Sequence, residues 1–320
     1  MTKSGWIDVH GHFLPPESDD ASQKAWQDMR DNCFMATHPY TWNENDILDY
    51  LDRAGISMQM LSRVPKSVDA LKQSNNFGAS VVRRHPSRFG LLAALPTNNL
   101  DACLEEIRRA QTELHADGFA VTCCYEGVYL SDVSLKPAWD ELDRIGAVVF
   151  LHPDAYAPAV QGRPVPVSEV FFETTRTVVD MLYAGIFREY KNIKFIVAHC
   201  GAAVPVLADR LELLGTASWV PNPHNIKKEE VKQHLSTLYL DTAASGCAPL
   251  ATAVRLVGAD HIVYGADCGV PCSSEHSMEQ NRKAILAYDG MTSEEKESIG
   301  HNAEVLFPQA ARRMRNMSEA

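Results

Sequence analysis

Trp6-Ile7-Asp8-Val9-His10-Gly11-His12 is a largely apolar run that ends in two histidines separated by a single residue. Side chains of an extended strand alternate with period two, so His10 and His12 face the same side and can share one metal ion. Neutral imidazole is a common zinc ligand, and two of them on one strand end have little conformational freedom left to lose. Alone, the pair fits surface or structural histidines as well as a metal site. Its surroundings give it weight.

Seven further short β-branched or apolar runs follow, at 58–62, 90–95, 118–123, 147–152, 194–199, 238–241 and 261–267. Between them helical periodicity covers 44–54, 68–84, 100–115, 135–145, 170–190, 203–214 and 248–257, and two helices at 277–288 and 293–307 close the chain. Gly55, Gly118, Gly146 and Gly258 read as helix stops. Such alternation is the signature of βαβ units and a parallel sheet. Eight runs match a (β/α)8 TIM barrel, although a doubly wound open sheet alternates in the same way. The polar residues separate the two, because barrel enzymes draw reactive side chains from the C-terminal ends of several strands. Here His10, His152, His199 and Asp267 each terminate a run. Two stretches, 11–42 and 214–236, exceed the usual loop length and are expected to wall the site. No linker divides residues 1–320, and this length suits one barrel of about 250 residues with insertions.

The formal charge of -11 and the lack of a basic, aromatic-laced cluster exclude a nucleic-acid partner. An acidic exterior does not attract an anion, so a carboxylate ligand has to be held by a metal or an arginine. The chain enters its first strand without an apolar signal core, and no later run approaches bilayer length, so a cytosolic protein with no membrane partner is expected. The eight cysteines lack paired CxxC spacing, and Cys123, Cys124 and Cys200 lie in apolar runs as reduced structural thiols.

His152 closes the run 148–152 and Asp267 the run 262–267. An aspartate in that place also serves as a helix N-cap, but three histidines at other strand ends make coincidence a poor account. Three imidazoles and one carboxylate leave a divalent ion with open positions, as a catalytic metal needs. His199, at the same rim, fits a ligand, a base or a hydrogen-bonded buried imidazole, and its near-neutral affinity for protons favours a base acting on water or a substrate hydroxyl.

Val9 to Pro16, Leu151-His152-Pro153, Ala198-His199-Cys200-Gly201 and Gly265-Ala266-Asp267 resemble the ordered motifs of the aminocarboxymuconate-semialdehyde decarboxylase family of the amidohydrolase superfamily. Connecting features agree over nearly the whole chain: Arg88-Phe89, Leu95-Pro96, Glu173-Thr174-Thr175 and the closing segment Asn302 to Phe307. The resemblance implies a metal held by His10, His12, His152 and Asp267, with His199 beside the water or substrate. It also implies that Arg210 binds a carboxylate across a homodimer interface. Where the semialdehyde decarboxylase carries a second substrate-binding arginine this chain has Gln27, with Arg30 or Arg63 as stand-ins, which favours a substrate with one carboxylate. Length, the Asn32-Cys33 loop and the Ala266-Asp267-Cys268-Gly269 ending look closest to fungal 6-methylsalicylate decarboxylases, which form m-cresol and carbon dioxide.

The expected activity is therefore metal-dependent, non-oxidative decarboxylation of a small salicylate-type acid, with Asp267 delivering a proton to the ring carbon and His199 accepting the phenolic proton or holding a water. The resemblance to the semialdehyde decarboxylase implies metal-bound hydroxide as the alternative route. Zn2+ is favoured and Mn2+ is the alternative, since imidazole and carboxylate accept both. The competing readings are decarboxylation of aminocarboxymuconate semialdehyde or another hydroxybenzoate, and lactonase-type hydrolysis on the same ligands. A barrel that binds a metal or small acid without turnover is the reading from outside enzymology.

Overall fold

The computed structural model describes residues 5–155, 157–243 and 246–316; the chain ends included in the single-domain expectation of 1–320 lie outside them. Eight parallel strands form one sheet in sequential order: β1 (Trp6–His12), β2 (Ile56–Ser62), β3 (Phe89–Ala94), β4 (Gly118–Thr122), β5 (Val148–His152), β6 (Lys194–Val197), β7 (Tyr239–Asp241) and β8 (Ile262–Val263). The sheet curls until its ends meet. Beyond β8, the amide of Val9 donates to Tyr264 O (2.9 Å), that of Cys268 to His10 O (3.2 Å) and that of His12 to Cys268 O (2.7 Å). The fold is a (β/α)8 barrel, and no open-sheet edge is left between β1 and the segment after β8.

Strands buried on both faces need apolar residues of both parities. Ile7, Val9, Met58, Met60, Leu92, Ala120, Phe150, Ile196 and Val263 form one cluster with Leu306, Phe307, Ala310 and Met314. A second, larger cluster joins Ile56, Leu91, Val121, Val149, Val197 and Leu240 to the surrounding helices. The terminal helix Pro308–Asn316 thus packs on residues of the first cluster, and Arg313 ties it down with paired bonds to Asp117 of 3.0 and 2.9 Å.

The helices Glu44–Ala54 and Val68–Arg84 have the expected bounds. Asn43 and Ser67 cap their first turns, and Gly55 ends the former at φ 73°. Other expectations change. Gly118 opens β4 and is no helix stop; the preceding helix runs from Leu100–Arg109 into a wider turn at Ala110–Leu114 and ends on His115 at φ 52°. The expected helix over 170–190 divides at Gly185 into Glu169–Tyr183 and Ile186–Glu189, and that over 293–307 into Ser293–Ser298 and Ala303–Leu306. The two long connections hold helices of their own, Asp19–Asp31 and Lys228–Leu235. No helix among the described residues is long and apolar enough to cross a membrane.

Candidate metal centre

β1 ends in His10 and His12, β5 ends in His152, His199 lies just past β6, and Asp267 lies past β8. The structure brings all five together. Nε2 of His10 is 3.0 Å from Nε2 of His12, and the two nitrogens are 3.3 and 3.4 Å from Asp267 Oδ1. His152 meets both rings edge-on, at centroid distances of 5.0 Å from His10 and 4.9 Å from His12. One ligating atom each from His10, His152, His199 and Asp267 lie within 4.8 Å of one another.

The surroundings decide which ring nitrogens are free. Nδ1 of His12 is 3.2 Å from Ser62 O, and Nδ1 of His152 is 2.7 Å from Pro153 O. A carbonyl only accepts, so each Nδ1 carries the hydrogen and each Nε2 presents a lone pair. His10 points Nδ1 at Asp241 Oδ2, 2.7 Å away and fully buried. His199 differs: its Nδ1 is buried without a partner among the described residues, and its ring lies on Phe171 at 5.8 Å and 29°. His199 and Asp267 take φ of 59° and 58°, a left-handed backbone that costs a residue with a Cβ and recurs where a site imposes it.

The segment carrying Asp267 is held from several sides. The amide of Ala266 donates to Asp8 Oδ1 (2.9 Å), whose other oxygen accepts from Gln59 (2.7 Å). Gly269 at φ 89° allows the closest approach: a Cβ there would stand 2.1 Å from the carbonyl oxygen of His12. Gly269→Ala should therefore destabilise the fold by about 1–3 kcal/mol, read from a urea melt, and loosen metal binding in step. An unchanged melt and metal affinity would contradict this closure.

Electrostatics mark the centre as a place for positive charge. Burial works against charging His10, but the carboxylates of Asp241 and then Asp267 push it up to about 10. Burial likewise opposes the Asp267 carboxylate, yet His10 and His12 hold it well below its ordinary value. Burial, and then the imidazoles of His12 and His10, keep His152 neutral with its affinity for protons well below normal, and burial followed by His10 lowers His199. Two imidazole lone pairs facing at 3.0 Å repel unless a proton or a cation lies between them. Atoms about 2.1 Å from a shared ion sit about 3–4 Å from one another, so the donor set fits a divalent cation. Nδ1 of His199 is a further buried polar atom that no described residue satisfies.

The arginines named from the sequence make their contacts with other groups. Arg30 donates to Ala36 O (3.1 Å) and covers the Trp26 ring at 5.3 Å. Arg63, next after β2, meets Glu17 at 3.4 Å. Arg210 is exposed on the helix Val204–Leu214 and lines a groove of about 410 Å³ with Tyr183, Leu207, Leu214 and Trp219. Among the described residues none of the three makes a hydrogen bond or ion pair with the imidazoles or Asp267. Sequence reasoning missed Asp241 and Asp8. Asp241 carried a usable signal, since it ends an apolar run as Asp267 does.

A family model described as amidohydrolase (Amidohydro_2) matches residues 7–309, a span that contains every member of the cluster. The chain belongs to this amidohydrolase family. Among curated relatives, the amidohydrolase is 31% identical to the decarboxylase macB of Penicillium terrestre over 291 residues, covering 82% of this chain and 83% of the relative. It is 28% identical to the 6-methylsalicylic acid decarboxylase of Penicillium expansum over 318 residues, covering 94% and 96%. Among solved structures, the 2,6-dihydroxybenzoate decarboxylase from Rhizobium superposes with a TM-score of 0.78 at 22% identity, covering 96% of this chain and 99% of that one. The dihydroxybenzoic acid decarboxylase of Polaromonas sp. JS666, which holds manganese and 2-nitroresorcinol, superposes at 0.75 and 20% identity, covering 96% and 97%. At those identities the likeness concerns the fold.

Proposed function

We propose that this amidohydrolase is a metal-dependent, non-oxidative decarboxylase of a small salicylate-type acid, with 6-methylsalicylate, converted to m-cresol and carbon dioxide, as the leading substrate. That the chain is a carboxy-lyase follows from its curated relatives, which are decarboxylases over most of its length. The observation that carries the reading is the convergence of His10, His12, His152, His199 and Asp267 at one mouth of the barrel. His10, His12, His152 and Asp267 would hold the ion, with zinc favoured and manganese the alternative. Bound there, a divalent ion supplies Lewis-acid polarisation and a template for the carboxylate and ortho hydroxyl of the acid.

The protein's own groups then move the protons. His199 is neutral, because burial lowers its affinity for protons, and so accepts the phenolic proton of the bound acid. Asp267, held ionised by His10 and His12, takes up a proton from solvent only within the substrate complex and delivers it to the ring carbon bearing the carboxylate, and His199 returns its proton to the phenolic oxygen of the product. The carbon–carbon bond breaks, its electron pair returns to the ring, carbon dioxide leaves and aromaticity is restored. Purified protein should release one carbon dioxide per m-cresol from 6-methylsalicylate with no net addition of water. Ring opening of a lactone without carbon dioxide release would instead establish a hydrolase.

The exposed groove around Arg210, with Trp219 71% exposed beside it, supports a homodimer in which Arg210 of one copy serves the acid bound in the other. A charge-assisted bond of this kind is worth about 10- to 100-fold. Arg210→Ala should raise KM by that factor with kcat little changed. A monomer by sedimentation, or an unchanged KM, would refute this arrangement.

A further inference from the structure

We propose that Asp241 is a positioning residue that holds His10 and His199 in register through one carboxylate, setting the ring tautomer with which His10 meets a metal. The inference rests on reading the cluster as a cation site. Asp241 ends β7, between β6 and β8, and is fully buried. Its Oδ2 lies 2.7 Å from Nδ1 of His10, and its Oδ1 accepts from the amides of His199 (2.7 Å) and Ala243 (3.0 Å).

Each oxygen has its own task. A carboxylate only accepts, so Oδ2 requires the hydrogen of a neutral His10 on Nδ1, leaving the Nε2 lone pair turned toward His12 and Asp267. Oδ1 pins the amide of His199 where the chain adopts its left-handed turn past β6. Groups that arrive on β1 and past β6 are therefore fixed against each other by a side chain from β7. Gly265 packs close against both residues, since a Cβ there would stand 3.0 Å from the Cβ atoms of both Asp241 and His10.

Asp241→Asn separates positioning from support. The two amides keep the oxygen of the new side chain on their own side, so its NH2 faces His10. Nδ1 must then accept, the ring hydrogen moves to Nε2, and the lone pair aimed into the cluster is lost. Zinc titrated into chelator-treated D241N should bind about 10- to 100-fold more weakly than into wild type. Nitrogen-15 spectra of labelled histidines should show His10 protonated on Nδ1 in zinc-loaded wild type and on Nε2 in the variant. A purely structural role would lower the melting temperature without moving the tautomer. Wild-type affinity in a folded D241N, or an unchanged tautomer, overturns the proposal. If D241N does not fold, the zinc-loaded wild-type spectrum decides, and His10 without a hydrogen on Nδ1 overturns it. Wild-type protein that takes up neither zinc nor manganese sinks the cation reading and this inference together, whereas normal uptake by both proteins sinks this inference alone.

Discussion

Asp267→Asn should lower kcat for 6-methylsalicylate by about 10²- to 10⁴-fold, the usual worth of a positioned proton donor. Asparagine is nearly isosteric, so the segment past β8 keeps its bonds through Ala266 and Cys268 to Asp8 and His10. What disappears is an ionisable oxygen 3.3 Å from His10 and 3.4 Å from His12. The variant can neither lend a negative charge to an ion nor carry a proton to the ring carbon. Assayed at metal concentrations that restore full occupancy, the residual loss isolates the proton step. A barrel that binds acids without turning them over, or one in which polarisation alone suffices, predicts no such loss once the ion is back.

Stripping the protein of metal should abolish turnover and lower its thermal stability, with both restored by zinc or manganese. An ion bound only by the folded state stabilises it by about 2.7 kcal/mol at 100 times Kd and about 4.1 kcal/mol at 1,000 times Kd. The gap depends on pH in a definite direction. In stripped protein His10 keeps a proton up to about pH 10, against 6.5 for an ordinary histidine, so that proton's contribution is complete below about 6.5 and lost as pH rises through about 10. The ion replaces this proton and is not subject to the same loss. The difference in melting temperature between loaded and stripped protein should therefore widen from about pH 6.5 to about pH 9. A gap that narrows over this range would mean that His10 is not where the ion binds.

The barrel was legible because its signals are local and repeated. Glu44–Ala54 could be bounded from its periodicity and its Gly55 stop, and the structure adds the Asn43 cap. The helix Asp19–Asp31 could not, since none of its residues is buried and no apolar stripe marks it against the loop around it. Its cues were only Ser18 and the acidic pair Asp19 and Asp20 in the first turn. Gly118 misled because a glycine after a helix and a glycine opening a buried strand look alike in one dimension. The strand contact, where a Cβ would stand 3.0 Å from Val148 O, is long-range.

The same division runs through the site. His10, His12, His152, His199 and Asp267 stand out as polar residues ending apolar runs. Asp241 obeys the same rule at the end of β7 but lacks a sequence neighbour to suggest a partner, since the histidine it orients lies 231 positions away. The arginines show the opposite limit. Their residue type suits a carboxylate, but placement depends on loop paths, which spacing does not encode.

Anomalous diffraction at the zinc and manganese edges, on crystals of the protein as purified, tests the central claim most directly. The account predicts one peak, with His10, His12, His152 and Asp267 about 2.0–2.2 Å away. No peak there, or a peak bound by other side chains while these groups hydrogen-bond only among themselves, would contradict it.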